Sequence, residues 1–157
     1  MPPSTDEMPR NRLVFVVEDS EQDYDMFVRC TEKLGIGIDI RHFETGDLAL
    51  EHLSTLTGVD REPSSIPKVI LLDLNLPGTD GREVLRQMRE LPEFVQVPIV
   101  IFSTSTQPAD IEESYQNGAN AYIIKPMNVR ELRDRVEVIL KHWLFANAQS
   151  YEVSQLT

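Results

Sequence analysis

The sequence predicts an α/β domain whose parallel sheet is covered by helices on both faces, and three observations predict it. Short, wholly apolar runs recur at Leu13–Val17, Val69–Leu72 and Ile99–Phe102. They are too short for helices and lack the polar alternation of a half-exposed strand, so they read as strands buried on both faces. Between them lie stretches whose large apolar residues repeat at helical spacing. Strand and helix alternate five times along the chain, the pattern of a single doubly wound domain.

The first strand, Leu13 to Val17, runs into the acidic pair Glu18-Asp19. Ser20 is placed to cap the next helix, with Asp23 three residues on, close to a capping box. Met26, Phe27, Cys30 and Leu34 repeat along that helix, which Gly35 and Gly37 end. Ile38 to Phe43 is of mixed polarity and reads as an edge strand. Thr45-Gly46 turns the chain into a helix carrying Leu48, Ala49, Leu53 and Leu56. Thr57 to Pro67 has prolines, serines and a glycine but no apolar period, and reads as loop.

The strand from Val69 ends in Asp73, and Pro77-Gly78 turns the chain into a helix from about Gly81 to Leu91. Val84, Leu85, Met88 and Leu91 form its inner face. Pro98 opens the fourth strand, which ends in Ser103-Thr104-Ser105. Pro108 suits the first turn of the next helix, where Ile111 and Tyr115 are expected to face inward and Gly118 to lie at the C-cap. Ala121 to Ile124 is the last strand and leads into Lys125-Pro126. Asn128 with Glu131 makes a capping box for a final helix carrying Val129, Leu132, Val136, Ile139, Leu140 and Trp143, expected to run to about Asn147.

The chain of 157 residues is long enough for one domain with a real core. Its net charge of −11 argues against binding nucleic acid or an anionic membrane. Cys30 is the single cysteine, so no intrachain disulfide framework exists, and a cytoplasmic protein is expected. Residues 1–12 read as a disordered leader without a signal-peptide centre, 13–147 as the domain and 148–157 as a flexible tail.

The expected strand order is the flavodoxin-like one, 2-1-3-4-5, with its switch point between strands one and three. That order brings Glu18, Asp19 and Asp73 into one crevice at the carboxyl edge, with Ser103 and Lys125 beside them. Alone, each has an ordinary reading: a solvated strand end, a turn serine, a surface lysine. Together they describe a site. Clustered carboxylates repel one another and call for a hard cation, and Mg²⁺ is commonly held by one or two carboxylates plus a phosphate. Lys125 and the Ser103 hydroxyl suit phosphoryl oxygens, and Asp73 suits an in-line attack that forms an acyl phosphate.

These motifs resemble the receiver domains of two-component response regulators over about Leu13 to Leu144. The resemblance rests on the Glu18-Asp19 pair, the frame Asp73, Pro77, Asp80 and Gly81, then Ser103, then Lys125-Pro126. It implies that Asp73 is the phosphoacceptor of a histidine kinase. It implies that Glu18, Asp19, Asp73 and the Asn75 backbone carbonyl hold Mg²⁺, and that Ser103 and Lys125 meet the phosphoryl group. Tyr122 would turn inward with Ser103 as a switch, and the Lys125-Pro126 bond would be cis. Such a chain assists its own phosphorylation and dephosphorylation but is not an enzyme.

Glu18 replaces the commoner aspartate, which suggests metal binding through water, and Thr104 stands where a smaller residue is usual. No effector domain is expected after the last helix, and output is expected through protein binding at the face of helix four, strand five and helix five. The segment from Thr57 to Pro67, the Ser103-Thr104-Ser105 run and the His142-Trp143-Leu144-Phe145 end resemble single-domain regulators paired with phytochromes. That implies a light-sensing histidine kinase and a homodimer built on strand five, helix five and Trp143, Leu144 and Phe145.

Two other readings compete. A pseudo-receiver would keep the fold as an interaction module without phosphorylation, but the acids, Ser103 and Lys125 are intact. Phosphohydrolases of the haloacid dehalogenase type usually carry a second acid two residues after the nucleophile, where this chain has Asn75, and their metal-binding acids come late in the chain.

Overall fold

The computed structural model of the protein describes residues 12–35, 37–58 and 62–146. Five strands, β1 (Leu13–Val17), β2 (Asp39–Phe43), β3 (Val69–Leu72), β4 (Ile99–Ser103) and β5 (Ala121–Ile124), alternate with five α-helices. The helices are α1 (Glu21–Leu34), α2 (Gly46–Thr55), α3 (Gly81–Glu90), α4 (Pro108–Gln116) and α5 (Val129–Lys141). The sheet order is β2-β1-β3-β4-β5 and every pair is parallel, the flavodoxin-like arrangement. Val17 pairs with both Phe43 and Leu72, and Ser103 with Ile124, so the carboxyl ends of all five strands meet at one edge.

The continuous apolar strands serve two cores at once, because successive side chains point to opposite faces. Phe15, Val17, Ile70, Leu72, Ile99 and Ile101 face α2 and α3, where Ala49, Leu53, Val84, Leu85 and Met88 complete the cluster. Val14, Val16, Val69, Leu71, Val100 and Phe102 face α1 and α5, meeting Phe27, Cys30, Leu132, Val136, Ile139 and Leu140. Burying one such side chain is worth about 1.5–3 kcal/mol, so these two layers supply the main driving force of folding.

Local signals agree with the elements. Ser20, Thr45, Asp80 and Asn128 cap α1, α2, α3 and α5, each accepting a backbone N–H of the first turn. Each cap contributes about 1 kcal/mol. Gly35 ends α1 in the left-handed conformation, at φ 64°. Gly81 is required for another reason: a Cβ there would stand 2.2 Å from the Asp73 carbonyl oxygen and 2.6 Å from Leu74 Cα. The first residue of α3 therefore packs directly on the backbone that carries Asp73.

Several expectations are corrected. Tyr115 is half-exposed and Ile111 only partly buried; the buried position of α4 is Ser114, whose hydroxyl is satisfied by the Asp110 carbonyl. Val129 lies 60% exposed, because it is the first residue of α5, ahead of the stripe that begins at Leu132. The last helix does not continue regularly: a π-helical turn, His142–Ala146, follows α5. Its wider winding rotates Leu144 into the core at 3% exposure, leaves Trp143 at the margin and Phe145 half-exposed. Short 3₁₀ turns, Pro63–Ser65 and Pro92–Phe94, lie in the connections before β3 and β4. The segments 148–157, expected as a flexible tail, and 1–12, expected as a leader, lie outside the described residues but for Arg12. Among those described, no helix is long and apolar enough to cross a membrane.

Candidate functional site

The edge where β1, β3, β4 and β5 end gathers the acids, the serine and the lysine. Glu18 and Asp19 follow β1 on opposite sides, Glu18 buried and Asp19 exposed. Glu18 is fixed through its backbone, which donates to the Phe43 carbonyl at 3.0 Å and accepts from His42 Nε2 at 2.7 Å, while its Oε1 accepts from Ser20 N. The His42 ring stacks on Tyr24 with centroids 3.7 Å apart. Asp73, 7% exposed, donates its N–H to the Val17 carbonyl at 3.1 Å, which locks the ends of β1 and β3 together. Glu18, Asp19 and Asp73 each present a carboxylate oxygen, and these oxygens lie within 4.8 Å of one another. This is an all-oxygen donor set, chemically suited to a hard divalent cation.

Lys125 occupies the centre. Its Nζ donates to Glu18 Oε2 at 2.5 Å, Asp23 Oδ2 at 2.9 Å and Asp73 Oδ2 at 3.0 Å, and lies 5.6 Å from the Phe102 ring centroid. Burial alone would lower its pKa, but the charges of Glu18 and Asp73 outweigh it and hold the amine protonated well above the ordinary lysine range. Burial raises the Glu18 pKa to about 7, with the Asp73 charge adding to the rise and the Lys125 ammonium opposing it. One oxygen of the longer Glu18 arm accepts from Lys125 Nζ and the other from the Ser20 N–H.

Asp23 joins this site although the sequence pointed only to a cap. Its N–H does donate to Ser20 Oγ, at 3.3 Å, but its carboxylate turns to Lys125. The available signal was position: α1 starts directly after the acidic strand end, so an acid in its first turn faces the same crevice.

Ser103, fully buried, ends β4, and its carbonyl accepts the Lys125 N–H at 2.7 Å. Its hydroxyl accepts from Ser105 N at 3.3 Å. Tyr122 is half-buried against the α2/α3 core and donates its hydroxyl to the Ser105 carbonyl at 2.8 Å, so its ring is already turned inward. Asn75 lies in the turn after β3 with its side chain exposed, and its N–H donates to Asp73 Oδ1 at 3.2 Å. The Lys125-Pro126 bond is trans, against the expectation of a cis bond. Trans is the intrinsic preference of the X-Pro amide by about 0.5–1 kcal/mol, and Lys125 reaches all three carboxylates in that form.

The family model of the response regulator receiver domain matches residues 14–137. The probable methanogenesis regulatory protein FilR2 of Methanothrix harundinacea is 36% identical over 132 residues, 84% of this chain and 83% of that protein. Response regulator Rcp1 of Synechocystis is 31% identical over 140 residues, 89% of this chain and 94% of that protein. The crystal structure of the Mn²⁺-bound form of Rcp1 superposes with a TM-score of 0.78, covering 87% of this chain and 97% of that one. The phosphorylated cyanobacterial phytochrome response regulator RcpA superposes with a TM-score of 0.80 at 32% identity, covering 88% of this chain and 97% of that one.

Proposed function

The chain belongs to the response regulator receiver domain family, and from that premise we propose that it accepts a phosphoryl group on Asp73 from a phytochrome-type histidine kinase. The observation that carries this reading is the setting of the Asp73 carboxylate. One oxygen faces Lys125 Nζ at 3.0 Å, the other faces the Asn75 N–H at 3.2 Å, and Glu18 and Asp19 stand alongside. The kinship with the phytochrome response regulator RcpA supports the light-sensing donor.

An Asp73 oxygen attacks phosphorus in line as the bond to the donor histidine breaks, and the departing electron pair returns to the imidazole. Glu18, Asp19, Asp73 and the Asn75 carbonyl would hold Mg²⁺, which when bound neutralises charge on the carboxylates and the phosphoryl oxygens. Lys125 exchanges part of its carboxylate shell for a phosphoryl oxygen. The Ser103 hydroxyl, whose oxygen only accepts in this structure, donates its proton to another. Stabilisation by these fixed groups is the main catalytic contribution expected in phosphoryl transfer, so the chain assists its own modification without acting on a separate substrate.

Movement of Ser103 toward the phosphoryl group, with Tyr122 held in the inward position it already takes, then changes the population of states presented by α4, β5 and α5. The same reading places a homodimer on β5 and α5. Tyr122, Ile123 and Ile124 line a half-open cleft with Arg135 and Val138, and Val138 is 65% exposed. Leu144 is withdrawn from the expected interface because it sits in its own core, whereas Phe145 remains available.

Intact-protein mass after incubation with acetyl phosphate and Mg²⁺ tests the acceptor. The wild type gains one phosphoryl group only with Mg²⁺, and Asp73→Asn gains none while staying folded. A gain of the same size in Asp73→Asn would overturn the assignment.

A further inference from the structure

Outside the acid cluster, a second polar network connects α3 to the end of β4. Arg82, in the first turn of α3, donates from Nε and Nη2 to Asp110 Oδ1, at 3.1 and 2.7 Å. Its third donor, Nη1, is taken by Asp80, the residue that caps α3. Asp110, in the first turn of α4, uses its other oxygen to accept from the Ser105 hydroxyl. Ser105 spends every polar group it has: its N–H on Ser103 Oγ, its hydroxyl oxygen on the Gln107 N–H, and its carbonyl on the Tyr122 hydroxyl.

A continuous hydrogen-bonded path therefore runs from the buried Ser103 hydroxyl and the inward Tyr122, through Ser105, to an ion pair between two helices. The Arg82 and Asp110 side chains are only 25% and 18% exposed, so screening is reduced. Two guanidinium N–H groups converge on the one oxygen Oδ1, which leaves Oδ2 to the Ser105 hydroxyl. The Asp110 carboxyl is held below its ordinary range, first by the Ser105 hydroxyl and then by Arg82.

We propose that Arg82 and Asp110 form a latch between α3 and α4 that positions Ser105, and through Ser105 holds Ser103 and Tyr122 in the arrangement seen here. Neither residue touches Asp73 or Lys125; both are positioning residues. The effect on phosphorylation rests on the receiver reading, whereas the effect on Tyr122 does not.

The test is ¹⁹F NMR of fluorotyrosine-labelled protein, with the Tyr122 signal assigned by Tyr122→Phe, in the wild type, Arg82→Ala, Asp110→Ala and the double variant. Releasing the latch shifts or broadens the Tyr122 signal in each single variant, and the double variant adds nothing further, because the path is already cut. Phosphorylation by acetyl phosphate slows by about threefold in the same variants, within the range a partly exposed ion pair supplies. Arg82→Ala leaves α4 untouched, so it carries the test if Asp110→Ala loosens that helix. An unmoved Tyr122 signal in Arg82→Ala, or shifts that simply add in the double variant, would overturn the latch. Failure of the wild type to accept phosphate would overturn the receiver reading alone, with the Tyr122 signal still deciding the latch.

Discussion

Lys125 stands where a site of carboxylates needs a cation. Its ammonium binds the same Glu18 and Asp73 carboxylates that are proposed to hold Mg²⁺, so ammonium and metal compete for these oxygens. Removing it leaves two buried carboxylates without their charge partner, a loss of about 3–5 kcal/mol for a pair broken on one side. Lys125→Ala is therefore expected to lower the melting temperature in EDTA, and added Mg²⁺ is expected to raise it more than in the wild type. Thermal melts of both proteins with EDTA and with Mg²⁺ check this; an equal Mg²⁺ response would show that the lysine does not occupy the cation's place. Asp23 keeps its share of Lys125 at the rim, where its side chain is 29% exposed.

At the scale of elements, the end of α5 shows how one turn divides neighbouring side chains between two roles. The π-helical turn sends Leu144 inward and Phe145 outward. Leu144→Ala removes a buried side chain and is expected to cost about 2–5 kcal/mol of stability, read as a fall in the urea midpoint. Phe145→Ala is expected to cost less, about 1 kcal/mol, and to lower that midpoint correspondingly less, since half its surface is already in water. If the proposed dimer uses this end of the molecule, sedimentation velocity shows weaker self-association in Phe145→Ala than in the wild type. Equal self-association would remove Phe145 from the interface.

Across the whole molecule, pH dependence separates a half-buried histidine and a buried glutamate whose effects have opposite sign. His52 packs on Phe15 and Phe43 at 5.6 and 5.4 Å, and burial followed by the Arg41 charge lowers its pKa below 6.5. A lowered histidine keeps its stabilising contribution above pH 6.5 and loses it as pH falls toward its folded value. Glu18 runs the other way: with its pKa raised to about 7, its contribution is present below 4.5 and is lost as pH rises through 7. The pH-dependent difference in urea midpoint between the wild type and His52→Gln isolates the histidine's contribution. The wild type is expected to lose more stability than His52→Gln between pH 7.5 and about 5.5; parallel curves would exclude His52.

Sequence alone determined the order of elements, the sheet topology and the gathering of Glu18, Asp19, Asp73, Ser103 and Lys125 at one edge. These follow from local rules: apolar period, caps, and the geometry of parallel crossovers, which carries every strand end to the same side. Gly81 was legible as part of a motif, but its reason, contact with the Asp73 backbone, required the packed chain. Tertiary structure decided the rest. It recruited Asp23, trapped Glu18 on Lys125, turned Tyr122 onto Ser105 and joined Arg82 to Asp110. Each of those contacts links residues distant in the chain through side-chain rotamers chosen in a crowded, partly dry edge. Periodicity specifies which face a residue occupies, and only the competition of neighbours for the same charge or hydrogen bond settles which partner it takes.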